Sequence, residues 1–566
     1  MNLNLKAKKQ NTYDAIVVGT GISGGWAAKE LTESGLNTLV LERGRNVRHP
    51  EDYPTATLEP WDLPRNDLLT PEEAKDYEVQ MRSGYTVRES TKHWWVKDTE
   101  QPYIEKERFD WMRGYHVGGK SIMWGRQCLR LGPHDFEENA KDGYGVDWPI
   151  RYEDLEPWYD HVEAFAGISG MEEGLPQCPD GIFLPTIEMN CVEKHAREQI
   201  LEKFDGRVLT MGRFANLTVP HNGRGACQFR NKCMRGCPYG AYFSSNSTTL
   251  PAAERTGNMT LRPHSIVSSV IYNEDSGRAT GVKVVDAESG EEIEFYGKVV
   301  FLCASTIATT MIMLNSISNR FPTGFGNDSD QLGRNLMDHH FRVGASGRFD
   351  GFQDKYYYGR RPASVHMPRY RNLGNEQRDY LRGFHFQGSA SRQNWWRGIR
   401  EMAIGRPLKE LVQTPGEWTM GLGAFGEMLP DPENRMWLDH DKTDKWGQPL
   451  AVFDVKFGEN DFIMREEIKT DAAEMLEAAG FKDVTTYDNP GGPGLGIHEM
   501  GTARMGRDPE TSVLNGWNQV HGSPNVFVTD GACMTSSANQ NPSLTYMAIT
   551  ARAANYAVDE LKRGNL

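Results

Sequence analysis

The sequence predicts a mixed α/β fold with more than one domain, and three observations support this. The chain has 566 residues, which is too long for a single hydrophobic core. A glycine-rich turn near the N-terminus lies between an apolar strand and a helical pattern. Later segments of β-type residues alternate with Gly and Asp turns, apart from an aromatic-rich region at 346–455. We therefore expect one α/β domain and a second domain built on a β-sheet.

The first unit reads as strand, tight turn, helix and strand. YDAIVV at 13–18 is followed by GTGISG, by the helical pattern WAAKELTESG and by NTLVLE, which ends at Glu42. Gly19, Gly21 and Gly24 form G-x-G-x-x-G: the first permits the turn, the second lets the backbone approach a pyrophosphate, and the third allows close helix–strand packing. Glu42 ends the second strand, where a ribose hydroxyl needs an acceptor.

This unit predicts a dinucleotide site, with an ordinary glycine turn as the structural alternative. The residues alone leave FAD and NAD open. We assign Ser23, within the loop, and Arg43, beside Glu42, to the same predicted site.

Three cysteines stand close together in CQFRNKCMRGCP. Cys227, Cys233 and Cys237 form C-x5-C-x3-C-P, and closely spaced thiolates followed by proline are typical of an iron–sulfur cluster. Three ligands fit a 3Fe–4S cluster. The alternative is a structural zinc site, although zinc sites more often use C-x2-C pairs. The other five cysteines are scattered.

Composition and hydropathy exclude several classes of function. The 63 Lys and Arg residues against 77 Asp and Glu give a net charge of −14, which argues against nucleic acid and anionic membranes as partners. The N-terminal leader is short, polar and basic, without the apolar core of a signal peptide. The most hydrophobic long stretch, 299–317, contains Ser, Thr and Asn, so we expect a buried strand and helix there and no membrane insertion.

The remaining segments complete the predicted architecture. Residues 46–105, rich in Pro, Trp and charge, are expected to run over the surface. The β-type runs at 259–301 are expected to return to the sheet of the first domain. A long helix is predicted at the C-terminus, after NPSLT.

Motifs along nearly the whole chain resemble those of the glucose–methanol–choline (GMC) flavoprotein oxidoreductases. They are GTGISGG and LERG near the start, VGGKSIMWG at 117–125, RNLMDHH at 334–340, and HEMGTARMG and NPSLT near the end. The resemblance implies FAD rather than NAD. It also implies a discontinuous Rossmann-like FAD-binding domain at 1–160, 255–345 and 490–566. An iron–sulfur and cap segment at 161–254 and a β-sheet substrate domain with helices at 346–489 complete the predicted division.

The resemblance also implies roles for individual residues at the flavin. Gly118, Gly119 and Ser121 match a loop along the pyrophosphate and flavin ring, and Met123 occupies the position where some relatives carry a flavin-linked histidine. A thioether cannot form that bond, so noncovalent FAD is predicted. Further expected contacts are a strand residue at the adenine and a C-terminal Asp-Gly at the pyrophosphate and ribityl chain, namely Val267, Asp530 and Gly531.

His498 and Asn541 are the predicted catalytic pair. Oxidation of an alcohol needs a proton acceptor, which suits histidine, and a second polar group that orients the hydroxyl. His339 and His340 of the MDHH sequence are expected to support the fold near the flavin rather than perform chemistry. The substrate-side candidates are His385, Gln387, Trp94, Trp95, Trp395 and Trp396.

Within the family, the cysteine spacing resembles that of the flavoprotein subunits of bacterial sugar dehydrogenases. The RGYHVGG…MWGRQ region and the lack of a histidine-linked flavin most resemble glucoside 3-dehydrogenases. This predicts oxidation of a sugar or glucoside at C3 to a 3-keto glycoside, with hydride transferred to flavin N5. Electrons would pass through the cluster to a cytochrome c or a quinone-linked acceptor.

A small accessory subunit is expected to carry an export signal to the bacterial periplasm; a cytoplasmic enzyme is the alternative. The rival activities are gluconate 2-dehydrogenase, glucose C1 dehydrogenase, and a flavin-binding component without dehydrogenase activity that holds structural zinc.

Overall fold

The structure, a computed structural model, describes residues 11–356, 361–393 and 403–566. Its strands are β1 (Thr12–Val18), β2 (Thr38–Leu41), β3 (Ile104–Glu105), β4 (Ile168–Ser169), β5 (Phe183–Leu184), β6 (Thr210–Met211), β7 (Met259–Arg262), β8 (Ser265–Asn273), β9 (Arg278–Asp286), β10 (Glu292–Leu302), β11 (His339–Phe349), β12 (Val365–Met367), β13 (Phe384–Arg392), β14 (Trp418–Glu427), β15 (Arg435–Thr443), β16 (Pro449–Asp454), β17 (Lys482–Asp488), β18 (Gln519–Val520) and β19 (Ser523–Val528). Its α-helices are α1 (Ile22–Glu33), α2 (Pro71–Asp76), α3 (Glu78–Met81), α4 (Glu138–Asp142), α5 (Tyr152–Ala166), α6 (Cys191–Lys203), α7 (Thr249–Arg255), α8 (Thr306–Asn315), α9 (Arg406–Gln413), α10 (Glu459–Ala478) and α11 (Ser543–Arg563).

The first sheet has a parallel core in the order β19-β10-β1-β2-β7. Strands β8 and β9 join it antiparallel through β10. Val18 at the end of β1 is in register with Leu41 of β2 and Leu302 of β10. The carboxyl ends of these parallel strands therefore meet at one edge, which is where open α/β sheets bind their ligands.

The βαβ unit and the return of later strands to this sheet agree with the sequence analysis. Helix α1 follows β1 directly and β2 follows α1. Strand β10 ends at Leu302 and α8 follows from Thr306, so the hydrophobic stretch at 299–317 is a buried strand and helix, as expected. Within the described ranges, no helix is long and apolar enough to cross a bilayer.

The second sheet is antiparallel and has the order β17-β11-β14-β13-β12-β6. Helix α10 packs on it through buried Met464 and Ile468, which share a core cluster with Val343 and Leu422. The mixed α/β fold with a sheet-based second domain is confirmed. The proposed domain boundaries stay a prediction; β11 begins at His339, ahead of residue 346, and β6 comes from the segment at 161–254.

Part of the segment at 46–105 lies inside the fold, which differs from the expected surface path. Trp94 is 1 % exposed and Tyr53 is 7 % exposed. Their rings lie edge to face, and Trp94 also contacts His116. These two aromatic side chains fold inward because burying their large apolar rings is favourable, whereas Trp61 of the same segment is 77 % exposed.

Candidate active site

A cavity of about 420 Å³ opens at the carboxyl ends of β1 and β2 and extends to the second sheet. The wall includes these predicted site residues: Gly19, Gly21, Ser23, Glu42, Arg43, Gly119, Ser121, Met123, Val267, Gln387, His498, Asp530, Gly531 and Asn541. Residues that the sequence scatters over more than 500 positions thus share one space.

The glycine loop has the form that a bound pyrophosphate requires. A methyl group on Gly21 would meet no atom within 4 Å, whereas one on Gly24 would lie 1.9 Å from the Gly19 carbonyl oxygen. Gly24 therefore brings α1 against the loop, and Gly21 leaves its backbone open to the cavity. No side chain caps the first turn of α1 and no acidic residue stands in it, which suits a phosphate at the helix N-terminus.

The second glycine loop is held against the first. Gly118 has a φ of 91° and its N–H donates to the Thr20 hydroxyl at 2.9 Å. A side chain there would collide with Asn246, so Gly118 supports the loop from behind while Gly119 and Ser121 face the cavity. Met123 is 4 % exposed and lines the same space.

Two buried carboxyl groups that were predicted to contact a dinucleotide, those of Glu42 and Asp530, line the cavity. Glu42 accepts hydrogen bonds from Thr20 and from the Gly44 N–H, and burial raises its pKa. Asp530 accepts from the Thr309 hydroxyl and the Ala532 N–H, and burial raises its pKa to about 6. Since both carboxyl groups line the same cavity as residues of the two glycine loops, this set of residues fits an FAD molecule.

Arg43 stands at the mouth beside Glu42. Its guanidinium forms an ion pair with Asp444 at 2.8 Å and lies over the rings of Tyr115 and Trp446. Because these neighbours fix the side chain, it presents an ordered cationic group at the nucleotide end of the cavity.

The predicted catalytic residues meet at the other end. Asn541 Nδ2 is 3.3 Å from His498 Nε2, although the two residues are distant in sequence. Burial lowers the pKa of His498 well below its usual value, and His339 and Lys120 lower it further. The imidazole is therefore neutral at pH 7 and has a nitrogen available to accept a proton.

Asp338 and His339 hold the backbone and the ring of His498 in place. The Asp338 carboxylate accepts the backbone N–H of Gly496 at 2.8 Å and that of His498 at 3.1 Å. His339 Nδ1 is 2.9 Å from His498 Nδ1. Burial together with the charge of Glu499 raises the pKa of Asp338 to about 7.

A polar wall continues from Asn541 across β13. Gln387 Nε2 donates to Asn541 Oδ1 at 2.6 Å, and Gln127 Nε2 donates to Gln387 Oε1 at 2.7 Å. His385 is fully buried behind this wall, where its Nε2 is 2.9 Å from Gln387 Nε2. Gln387 therefore lines the cavity, while His385 lies behind the wall, in contact with Gln387 and stacked on Phe425, which both line it.

The aromatic candidates divide in the same way. Trp95 lines the cavity, but Trp94 is buried behind it. Trp395 and Trp396 lie outside the described residues.

The three clustered cysteines lie beside the cavity rather than in its wall. Met234, which follows Cys233, does line the cavity, and the Tyr242 hydroxyl contacts the Cys233 carbonyl. Burial raises the pKa of Cys227, and Cys233 and Cys237 raise it further, so these side chains are near one another.

The three thiols are nevertheless not arranged as metal ligands. In the described part of the chain no group of three or more His, Cys, Asp or Glu side chains could hold a metal ion. All three are free cysteines. As positioned, they fit neither an iron–sulfur cluster nor a zinc ion.

Sequence reasoning missed three residues that line the cavity, namely Gln127, Lys120 and Glu499. Gln127 belongs to the polar wall, and Lys120 forms an ion pair with Glu499 at 3.2 Å inside the cavity. Lys120 lies within the motif VGGKSIMWG, Gln127 follows that motif closely, and Glu499 lies within HEMGTARMG. Only their proximity to a recognised motif could have drawn attention to them.

Two family models match the chain, and both are described as GMC oxidoreductase. They cover residues 13–341 and 430–550. Together they include both glycine loops, the MDHH sequence, His498 and Asn541.

Known proteins similar to this chain include several dehydrogenases. The 2-methyl-1,2-propanediol dehydrogenase of Mycolicibacterium austroafricanum is 28% identical, with 96% of this chain and 94% of the relative covered. The fructose dehydrogenase large subunit of Gluconobacter japonicus is 27% identical, with 97% and 98% covered. The gluconate 2-dehydrogenase flavoprotein of Pantoea cypripedii is 25% identical, with 96% and 93% covered.

Solved structures share the fold. Pyridoxine 4-oxidase from Mesorbium loti superimposes with a TM-score of 0.58 at 16% identity, covering 96% of this chain and 98% of that chain. A formate oxidase variant from Aspergillus oryzae gives 0.61 at 15% identity, covering 98% and 99%. At these identities the likeness concerns the fold alone.

Proposed function

This chain belongs to the GMC oxidoreductase family, and from that premise we propose that it is an FAD-dependent dehydrogenase that oxidises a hydroxyl group of a sugar or glucoside. The observation that carries the proposal is the contact between His498 and Asn541 at the end of a cavity that fits FAD. When bound, FAD would supply the acceptor for the hydride that leaves the carbinol carbon.

His498 would take the hydroxyl proton. Its imidazole is neutral because it is buried, and a neutral imidazole can accept a proton at an unprotonated nitrogen. Asn541 Nδ2 is held near the same nitrogen, where it can donate to the hydroxyl oxygen and orient it. The substrate carbon is then released as a ketone or aldehyde.

FAD would be held noncovalently between the two glycine loops. Gly21 and the N-terminus of α1 would receive the pyrophosphate, and Glu42 would accept a ribose hydroxyl. Met123 offers no nucleophile for a covalent bond to the flavin.

A polyhydroxylated substrate suits the polar wall. Gln127 and Gln387 present amide groups that can exchange hydrogen bonds with several hydroxyls, and Trp95 offers an apolar face for a sugar ring. Within this class we propose C3 of a glucoside as the oxidised carbon, which gives a 3-keto glycoside. Gluconate C2 and glucose C1 are the rival positions.

Anaerobic bleaching of the flavin by a panel of sugars tests the activity. Methyl glucoside decides the position, because its anomeric carbon is blocked while its C3 hydroxyl is free. Bleaching with formation of a 3-keto product supports C3 chemistry. Bleaching by glucose or gluconate with none by methyl glucoside would reject it, and no bleaching by any sugar would reject the sugar substrate.

A small diol is the second candidate substrate. The relative with 28% identity is named for 2-methyl-1,2-propanediol, and oxidation of a diol needs the same proton acceptor and orienting amide. Adding 1,2-diols to the panel separates the two, since a cavity built for a diol would show bleaching by small diols and none by glucosides.

The electrons are proposed to leave to an external acceptor. One relative is named as the large subunit of a fructose dehydrogenase, which supports an accessory subunit. A cytochrome c or quinone-linked acceptor and a periplasmic location, with the cytoplasm as the alternative, complete the proposal. The iron–sulfur cluster at Cys227, Cys233 and Cys237 stays a prediction that rests on spacing, and no electron step is assigned to it.

A flavin-binding component without dehydrogenase activity is the alternative from another class. Metal analysis of anaerobically purified protein distinguishes it, because zinc without iron or acid-labile sulfide, together with an unreactive flavin, would favour that reading.

A further inference from the structure

The second histidine of the site has an unusual contact. His339 Nδ1 lies 2.9 Å from His498 Nδ1, and the two rings meet edge to face. His339 is 0 % exposed, and burial lowers its pKa to about 4, so it is neutral at pH 7. A hydrogen bond between two neutral imidazoles requires one nitrogen to carry the proton and the other to lack it.

The other side of His339 decides which nitrogen carries the proton. His339 Nε2 lies 2.8 Å from the Ala538 carbonyl oxygen and 3.4 Å from that of Ser537. A carbonyl oxygen only accepts, so His339 Nε2 must be protonated and His339 Nδ1 must be an acceptor. His498 Nδ1 must therefore donate to it, which leaves His498 Nε2 without a proton.

The same direction continues on the substrate side. Since His498 Nε2 is an acceptor, Asn541 must turn its Nδ2 toward it. Asn541 Oδ1 then accepts from Gln387 Nε2, and Gln387 Oε1 accepts from Gln127 Nε2. Each side chain in this series therefore donates a hydrogen bond to the next one, and His339 donates to the Ala538 carbonyl oxygen. This carbonyl can only accept, so it sets the direction of the whole series.

We propose that His339 is a positioning residue that fixes His498 in the tautomer protonated on Nδ1, so that Nε2 meets the substrate hydroxyl as a proton acceptor. The mechanistic part of this inference rests on the proposed function. The tautomer itself is a property of the protein without substrate, and the two are measured separately.

The tautomer is read by ¹⁵N NMR of the FAD-loaded protein labelled in its histidine rings, with the His498 signals assigned by loss in His498→Gln. A protonated and an unprotonated imidazole nitrogen have widely separated ¹⁵N shifts. The expected result is a protonated Nδ1 and an unprotonated Nε2. A protonated Nε2 in the wild-type protein would overturn the proposal.

Two variants test the role of His339. His339→Phe keeps a buried ring without nitrogens, and should populate the Nε2-protonated tautomer of His498. It should slow flavin reduction by substrate on the order of 10- to 100-fold with little change in the half-saturating concentration. His339→Asn returns an acceptor near the position of Nδ1 and should recover part of both readouts, even if His339→Phe fails to fold.

The matched control is His340→Phe. His340 is adjacent and equally buried, and its ring nitrogens have no hydrogen-bond partner among the residues that the structure describes. It should leave the tautomer and the rate unchanged. An equal loss of rate in His339→Phe and His340→Phe would show that His339 acts only by packing. A rate and tautomer in His339→Asn no closer to the wild type than in His339→Phe would show the same. If no alcohol reduces the wild-type flavin, the proposed function fails while the NMR result still decides the tautomer.

Discussion

The second and third glycines of the G-x-G-x-x-G motif, Gly21 and Gly24, should have different effects when each is changed to alanine: one on FAD binding and the other on stability. In Gly24→Ala the new methyl would lie 1.9 Å from the Gly19 carbonyl oxygen, where ordinary contact needs at least 3.4 Å. A backbone oxygen cannot rotate away, so α1 must move. Overpacking costs about 1–3 kcal/mol, partly offset by the roughly 1 kcal/mol helix preference of alanine over glycine. Because the contact is with a backbone atom at 1.9 Å, the cost should lie near the upper end of that range, which leaves a net loss of about 2 kcal/mol in unfolding free energy.

Gly21→Ala is the matched variant, because the same methyl would meet no atom within 4 Å. It should leave the stability of the apoprotein unchanged within about 0.5 kcal/mol. It should weaken FAD binding on the order of 10- to 100-fold, because the methyl occupies space that the pyrophosphate needs. Urea unfolding of both apoproteins and FAD titration separate the effects. Normal FAD affinity in Gly21→Ala would refute the assignment of the cavity, and a stable Gly24→Ala apoprotein would refute the packing argument.

Three further predictions concern the base, the cysteines and pH. His498→Ala should keep its FAD spectrum and lose turnover on the order of 10²–10⁴-fold; near-normal turnover removes it from the mechanism. Metal analysis tests the cluster that the cysteine spacing predicts: wild-type protein purified anaerobically should contain iron and acid-labile sulfide, and Cys233→Ser should lose both and keep flavin reduction by substrate; wild-type protein without iron contradicts the cluster. Asp461 is buried and its pKa is raised to about 7, so the fold holds a proton that the unfolded chain releases above about pH 4. The unfolding free energy should therefore fall between about pH 4 and 7. In the wild-type protein this decrease in the free energy of unfolding should amount to roughly 2–4 kcal/mol, and it should be absent in Asp461→Asn. The variant should therefore be more stable than the wild type at pH 8 but not at pH 4. Equal effects at both pH values in urea unfolding would contradict this.

The predicted nucleotide-binding part of the site could be identified from the sequence because its residues lie close together in the sequence. The turn, the helix that follows and the strand that ends at Glu42 lie within about thirty residues, and each glycine has a steric reason that the pattern itself expresses. The catalytic pair lies far from this unit in sequence. His498 and Asn541 could be placed only through the family resemblance, although the structure does bring them together.

The support of the pair was not readable from the sequence. His339 was expected to support the fold, and its contact with His498 depends on the register between β11 and the loop before Met500. Gln127 reaches Gln387 across 260 positions, and no pattern in either segment indicates the other. The cysteine spacing predicted a ligand set, but ligation also needs the side chains to converge, which spacing does not determine.

The direction of the hydrogen-bond chain depends on the backbone at Ala538, a residue in the left-handed region with a φ of 51° although it is not glycine. That conformation costs alanine on the order of 1 kcal/mol and persists only where the surroundings impose it. Ala538 is fully buried and precedes Asn541 by three residues, and its carbonyl meets His339 Nε2. One turn of backbone therefore places the orienting amide and also orders the protons on both histidines. The strained backbone thus lies at the one group that must accept a hydrogen bond. The side chains in this series of hydrogen bonds could exchange donor and acceptor by a ring or amide flip or a change of tautomer, whereas the carbonyl cannot.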